Sequence, residues 1–260
     1  MPDAAPNRLT SVDLRGLKGQ GKIVAVTAHD FTFASLVDEL VDMFLVGDSL
    51  GMVAQGNANT LPVKMEDIVY HTRSVSRAAR HAHLVADMPF MSYQISQEDA
   101  LRNAGRLLSE AGAQAVKLEG GVEIAETVQR LVRMGIPVMG HVGLTPQKFH
   151  AYGGFKVQGR LKEARKSILR DAVAIEEAGA YAIVLECVPG ELGQEITGRV
   201  SVPTIGIGAG AHCDGQVVVA EDLLGMNTGF RPKFVKQYAQ LAETIQQAVG
   251  AFVRDVKSGE

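Results

Sequence analysis

The feature that most constrains this chain is its alternation of short β-rich runs with helical stretches. Runs at 22–27, 43–47, 83–86, 115–118, 137–140, 181–185 and 204–207 carry strand character. Helical periodicity fills the intervals at 31–41, 65–81, 96–112, 122–134 and 161–178, and again at 233–257. The 96–112 stretch is the clearest: Ser96 and Asp99 form a cap, Leu101, Ala104, Leu108 and Ala111 share a face, and Gly112 ends it. Strand and helix in regular succession imply a parallel sheet. An eighth strand is expected between 217 and 226, where Val217-Val218-Val219 and Leu223-Leu224 compete for it. A closed barrel and an open doubly wound sheet both fit the pattern, and a repeat count near eight favours the (β/α)8 (TIM) barrel of the α/β class. At 260 residues the expectation is a single domain, 1–260, preceded by a short arm over about 1–20.

Composition narrows the partners. Lys and Arg total 26 against 29 Asp and Glu, so no overall positive field would gather nucleic acid or anionic lipid. The longest apolar runs are far shorter than a membrane span, and no signal peptide is recognisable, so a cytoplasmic protein is expected. Cys187 and Cys213 match no zinc spacing and are expected to be reduced thiols.

At the end of one strand after another, an apolar run stops at an ionisable or small polar residue: Asp48-Ser49, Asp87, Lys117 with Glu119, His141 and Glu186. In a parallel barrel these ends converge on the face where barrel enzymes place their active sites. One Asp after a strand can be simply a helix cap. Lys117 and Glu119, two apart on a strand, leave the same face, either as a salt bridge without function or as part of a site. With Asp48 and Asp87 they make an oxygen-only donor set that suits Mg2+ better than Zn2+. Glu186 ends the run Ala182-Ile183-Val184-Leu185, and apolar surroundings would fit it as a general base. It could equally support a lysine or a metal-bound water. His141 can donate to substrate or serve structure alone. Gly206 to Gly210 and Gly120-Gly121 could admit an anion, and tight turns explain both as well. Phe31, Phe33 and Phe44 read as core. The long connection 144–159 is either a lid or a loop packed on its own aromatics.

Several segments together resemble the ketopantoate hydroxymethyltransferase family. They are Val46-Gly47-Asp48-Ser49-Leu50-Gly51-Met52-Val53, Thr60-Leu61-Pro62-Val63, Ala86-Asp87-Met88-Pro89-Phe90, Val116-Lys117-Leu118-Glu119-Gly120-Gly121, the run from Gly140 to Gln147, Ile205 to Gly210, and Cys213-Asp214-Gly215-Gln216. The resemblance implies a barrel of the phosphoenolpyruvate/pyruvate-like superfamily. It implies Mg2+ on Asp48, Asp87 and Glu119, a keto acid held by Asp48, Ser49, Asp87 and Lys117, and Glu186 as proton acceptor. It further implies 5,10-methylenetetrahydrofolate as co-substrate, 3-methyl-2-oxobutanoate converted through an enolate to 2-dehydropantoate on the route to pantothenate and coenzyme A, and a homo-oligomer, often a decamer. The chain departs from the family pattern at His29, Asn57 and Met91, where tyrosine, histidine and glycine are usual. Two other readings stay open: a keto-acid lyase or mutase of the isocitrate lyase type, and a non-catalytic keto-acid-binding barrel. Folate dependence separates the first from the transferase.

Overall fold

The computed structural model describes residues 7–227, 229, 232 and 234–259. By compactness it divides into two units, Met1–Val217 and Val218–Glu260. The first contains nearly all of a closed parallel barrel: β1 (Ile23–Thr27), β2 (Met43–Val46), β3 (His83–Asp87), β4 (Ala115–Glu119), β5 (Val138–Gly143), β6 (Ala182–Glu186), β7 (Thr204–Ile207) and β8 (Gly215–Val218), in that order around the ring. The amide of Ile23 donates to the Asp214 carbonyl at 2.9 Å and joins β1 to the approach to β8. Closure leaves no unpaired sheet edge, and the expected barrel is thereby realised.

Period-2 alternation explains where the core sits. Ala25, Met43, Leu45, Val85, Ala115, Met139, Ala182, Val184, Ile205 and Val217 form one buried cluster inside the barrel. Two residues further along the same strands the same face carries Asp87, Lys117, His141 and Glu186. One set of side-chain directions therefore fills the lower barrel with hydrocarbon and delivers charge to its mouth.

The N-terminal arm is part of this architecture. Thr10 and Asp13 form a capping box for the helix Ser11–Gly16, whose Leu14 is 1% exposed and joins the barrel cluster. Residues 1–6 lie outside the described residues. At the same end of the barrel His83 is buried, with Nδ1 3.0 Å from the Leu9 carbonyl and Nε2 3.1 Å from the Tyr181 hydroxyl. Burial lowers the His83 pKa from 6.5 to about 4. The unfolded chain therefore binds this proton more readily than the folded one. The stability contributed is present in full above pH 6.5 and is lost as the pH falls toward 4. Between pH 7 and 5 the loss from this group should be about 2 kcal/mol. Urea unfolding at the two pH values, compared with His83→Gln, checks this: the variant should show a correspondingly shallower dependence, and an equal slope would discount the role of His83.

Several expectations are corrected. The eighth strand begins at Gly215, before the expected window, and Leu223-Leu224 belong to the helix Ala220–Leu223 and its cap. The helix Gly190–Arg199 between β6 and β7 was not anticipated. Of the three phenylalanines read as core, Phe44 is fully buried, while Phe31 is 51% exposed and Phe33 half-buried. In the second unit the last helix runs Leu241–Ser258 rather than from 233, and Lys233 lies outside the described residues. Both cysteines are free thiols, as expected. Among the described residues no helix is long and apolar enough to cross a membrane.

Candidate active site

Strand register sets the first contacts. Asp87 pairs with Lys117, Glu119 with His141, and Gly143 with Glu186 on adjacent strands. Lys117 Nζ lies 3.2 Å from Asp87 Oδ1, 3.0 Å from His141 Nδ1 and 3.9 Å from Glu119 Oε1. His141 Nε2 lies 3.2 Å from Glu186 Oε2. An ammonium has no lone pair to accept with, so a neutral His141 accepts from Lys117 at Nδ1; burial and Lys117 oppose a second proton on the ring, and Glu119 and Glu186 outweigh them, so its pKa is raised. A continuous line of polar groups thus crosses the mouth: Asp87, Lys117, His141, Glu186.

The other carboxylates are tied in from neighbouring loops. The backbone N–H of Asp48 donates to Asp87 Oδ2 at 3.0 Å. Gln147, in the 3-10 turn Pro146–Lys148, donates from Nε2 to Asp48 Oδ2 and to the Met88 carbonyl, both at 3.0 Å, and from its backbone N–H to Glu119 Oε2 at 3.0 Å. Its Oε1 accepts from the Tyr93 hydroxyl at 2.9 Å and from Gln94 at 3.1 Å. Sequence reasoning missed both Gln147 and Tyr93. The start of the 144–159 connection is therefore anchored in the site, which matches neither a free lid nor a loop packed solely on itself. Phe149 does stack edge-on with Phe155 further along, at 5.0 Å between ring centres.

Glycine is required at Gly143: φ is +98°, and a Cβ there would lie 2.4 Å from the Glu186 carbonyl oxygen. That close approach allows the Leu144 N–H to donate to the same carbonyl at 2.8 Å, seating the connection beside Glu186.

Charge is dense and dry here. Asp48, Asp87, Lys117, Glu119 and His141 are all at most 5% exposed. Burial, then the charges of Glu119 and Asp87, push the Asp48 carboxyl well above its usual range, and burial likewise raises Asp87. Burial opposes ionisation of Glu119 too, yet His141, Lys117 and the Gln147 N–H hold it below the ordinary value. For Lys117 burial works against the charge, and Asp87, Glu119 and Asp48 outweigh it, so the ammonium is held above its usual pKa. Glu186 differs from expectation: its side chain is 17% exposed and faces His141, so its setting is polar and open to the mouth rather than apolar. Cys187 next to it has positive φ, and burial and the Glu186 charge push its thiol up to about 12, so it stays protonated.

The donor set can be tested against a divalent cation. Among the described residues no three His, Cys, Asp or Glu side chains converge into a preformed cage. Mg2+ does not need one, because it is usually held by one or two carboxylates and completed by substrate oxygens and water. Asp48 and Asp87, whose mutual repulsion a cation would relieve, fit that role; the buried Ser49 Oγ makes no hydrogen bond, and Asp87 Oδ1 makes none beyond its ion pair with Lys117. Glu119 has both oxygens facing protein donors and fits as a partner through water.

Of the residues that depart from the family pattern, Asn57 bonds to Gln55 on an exposed turn, and His29 is buried with its carbonyl 2.6 Å from His71 Nδ1. Met91 has φ +65° in the turn closed by the Ser92 N–H to the Pro89 carbonyl at 3.0 Å. A left-handed residue at this turn position favours glycine. Met91→Gly should raise stability by about 0.5–1 kcal/mol, read as a higher denaturant midpoint; a lower midpoint would mean that the half-exposed Met91 side chain contributes more than its backbone strain costs.

The ketopantoate hydroxymethyltransferase profile matches residues 8–260. The chain belongs to the ketopantoate hydroxymethyltransferase family. It is 58% identical over 254 residues to 3-methyl-2-oxobutanoate hydroxymethyltransferase of Syntrophus aciditrophicus, covering 97% of this chain and 93% of that one. To the protein of the same name from Thermoanaerobacter sp. it is 54% identical over 96% of this chain and 92% of the relative. A phosphoenolpyruvate phosphomutase from Streptomyces platensis superposes with a TM-score of 0.64 at 16% identity, over 97% of this chain and 89% of that one. 2,3-Dimethylmalate lyase, of the PEP mutase/isocitrate lyase superfamily, superposes with a TM-score of 0.60 at 16% identity, over 97% and 89%. These solved structures establish the barrel fold; the family rests on the sequence relatives. As a member of the ketopantoate hydroxymethyltransferase family the chain is an enzyme, a hydroxymethyl transferase.

Proposed function

We propose that the chain transfers a hydroxymethyl group from 5,10-methylenetetrahydrofolate to 3-methyl-2-oxobutanoate, giving 2-dehydropantoate and tetrahydrofolate with one water consumed, in pantothenate synthesis. The observation that carries this reading is the line Asp87, Lys117, His141, Glu186 across the barrel mouth, with Asp48 and Glu119 beside it. It provides a cation, a base and a carboxylate pair within one pocket, which proton abstraction next to a carbonyl requires.

Asp48 and Asp87 would hold Mg2+, with Glu119 acting through water; when bound, the ion supplies Lewis-acid polarisation of the keto acid. Glu186, at the open side of the site, takes the proton from the substrate's β-carbon. The electron pair moves to the ketone oxygen, and the Lys117 ammonium, fixed by Asp87 and His141, faces the negative charge that develops. Ser49 and His141 Nε2–H are placed to orient the keto acid. Water frees the one-carbon unit at the formaldehyde level by breaking its two C–N bonds to the folate, whose nitrogens take the two hydrogens of the water; the β-carbon bonds to that carbon, and the alkoxide formed takes back the proton held by Glu186.

The test is product formation from the two substrates with Mg2+, with excess chelator, and without folate. Dehydropantoate that depends on both Mg2+ and folate is expected. Turnover of the keto acid without folate would replace this reading with the lyase or mutase one, and keto-acid binding without turnover would favour the binding barrel.

We also propose that the chain works as a homo-oligomer. Ile245, Val249, Phe252 and Val256 recur along one face of the helix Leu241–Ser258 and are between 47% and 67% exposed. An apolar stripe of this kind calls for a partner surface. A particle of the single-chain mass, 27.8 kDa, in light scattering would overturn the proposal.

A further inference from the structure

Asp48 lies two residues beyond β2, in a turn rather than on a strand. A carboxylate so placed rotates about its own bonds unless a donor holds it, and the direction of its free oxygen sets how well it can ligate an ion. Gln147 supplies the hold. Both Nε2 hydrogens are used, on Asp48 Oδ2 and on the Met88 carbonyl, and both Oε1 lone pairs accept, from the Tyr93 hydroxyl and from Gln94 Nε2. A flipped amide would set its oxygen against a carboxylate and a carbonyl, and its NH2 against that of Gln94, so the network selects one orientation. Asp48 Oδ2 is thereby engaged, and Oδ1 is left without a protein donor among the described residues.

The amide is itself held on both sides. The turn Pro146–Lys148 that carries it is closed by the Lys148 N–H to the Thr145 carbonyl at 2.8 Å. Tyr93 is 2% exposed; its hydroxyl accepts from the Glu119 N–H at 3.1 Å and lies 2.9 Å from both Gln147 Oε1 and the Glu119 carbonyl. The Tyr93 loop is fastened by Asn103 Nδ2 to the Ser92 carbonyl at 2.7 Å. Since the Gln147 N–H also meets Glu119 Oε2, this one residue ties together chain segments that follow β2, β3 and β5 and the last residue of β4.

We propose that Gln147, oriented by Tyr93, is a positioning residue for the divalent cation: its amide turns Asp48 so that Oδ1 is presented to the ion, and its backbone N–H sets Glu119 beside it. The proposal rests on the Mg2+ reading above. Gln147 makes no hydrogen bond to Lys117, His141 or Glu186, so its effect on the reaction passes through the ion.

Mg2+ is titrated by calorimetry, with and without 3-methyl-2-oxobutanoate, into wild type, Gln147→Met, Tyr93→Phe and the double variant. Methionine nearly matches glutamine in length and removes the amide, while phenylalanine keeps the ring and loses only the hydroxyl. Gln147→Met should bind Mg2+ roughly 10- to 100-fold more weakly. Tyr93→Phe should also bind it more weakly, and the double variant no more weakly than Gln147→Met, because Tyr93 acts through Gln147. Exchange of the keto acid's β-hydrogen in Gln147→Met should need correspondingly more Mg2+ for half its maximal rate, and the deficit should shrink as Mg2+ is raised; a general loss of packing would give a deficit that Mg2+ does not relieve. Binding as tight as wild type, or tighter, in Gln147→Met would overturn the proposal and leave the Mg2+ reading standing, since the amide would then only offset the charge of Asp48. Additive losses in the double variant would overturn the role of Tyr93. Should Gln147→Met not fold, Tyr93→Phe decides alone, and an unchanged affinity there overturns the proposal. A wild type that binds no Mg2+ in either condition would overturn the proposal and the Mg2+ reading together.

Discussion

Glu186→Gln should lower product formation by about 10³-fold, the scale that a positioned general base contributes. The amide preserves size and can still meet His141 Nε2, 3.2 Å from the native carboxylate, but it cannot take up a proton. Glu186 is suited to that task by its place: its side chain is 17% exposed, whereas Asp48, Asp87 and Glu119 are buried and already bonded to Gln147, to the Asp48 N–H or to each other's partners. The carboxylate that faces the open mouth is the one a substrate can reach. Hydrogen exchange at the β-carbon of 3-methyl-2-oxobutanoate in deuterated water, followed by NMR without folate, isolates the proton step. Exchange should stop in the variant while Mg2+ affinity holds, because Glu186 does not contact Asp48 or Asp87. Exchange at the wild-type rate would place the base elsewhere.

The charged groups of this site were legible in sequence because a strand turns alternate residues the same way. Once 115–118 reads as a strand, Lys117 and Glu119 must share a face with Ala115, and the apolar residues beneath them show that this face is the interior. Asp87 and His141 follow by the same step. What alternation cannot reveal is convergence over long separations. Gln147 reaches Asp48 and Met88 from the far side of the mouth, and nothing local in Thr145-Pro146-Gln147 marks it out. The setting of Glu186 was misread for a related reason: the run Ala182 to Leu185 is apolar because it is buried inside and outside the barrel, and its last residue emerges into a polar opening.

Misplaced elements have equally local causes. The helix Gly190–Arg199 holds Gly193 and Gly198, which weaken the helical signal. Gly193 is there because a Cβ would lie 2.3 Å from the Ala209 carbonyl oxygen. In β8 the inward positions are Gly215 and Val217, and Gly215 has no room for a Cβ against Ile23, so the hydropathy peak falls past the true strand start.

Lys117→Met should cost about 3–5 kcal/mol of stability in the presence of chelator, the usual consequence of removing one member of a buried charge set. Lys117 is 4% exposed, with Asp87 at 3.2 Å and Glu119 at 3.9 Å, and it is the cation of a cluster that also holds Asp48. Methionine nearly matches its volume, so the loss would reflect charge rather than a void. Three carboxylates would then share a dry pocket without its lysine, and the fold could keep them there only by binding protons, His141 included, or a metal ion. Two consequences separate this account from a packing defect. The variant should recover part of its stability as the pH is lowered toward the point where carboxylates protonate, and Mg2+ should stabilise the variant more than it stabilises wild type, because the ion then replaces the missing positive charge. Urea unfolding of both proteins, with chelator and with saturating Mg2+, reads both effects. A variant as stable as wild type under chelator would mean that the carboxylates are already protonated or solvated in the folded protein, and the electrostatic picture of the barrel mouth would have to be abandoned.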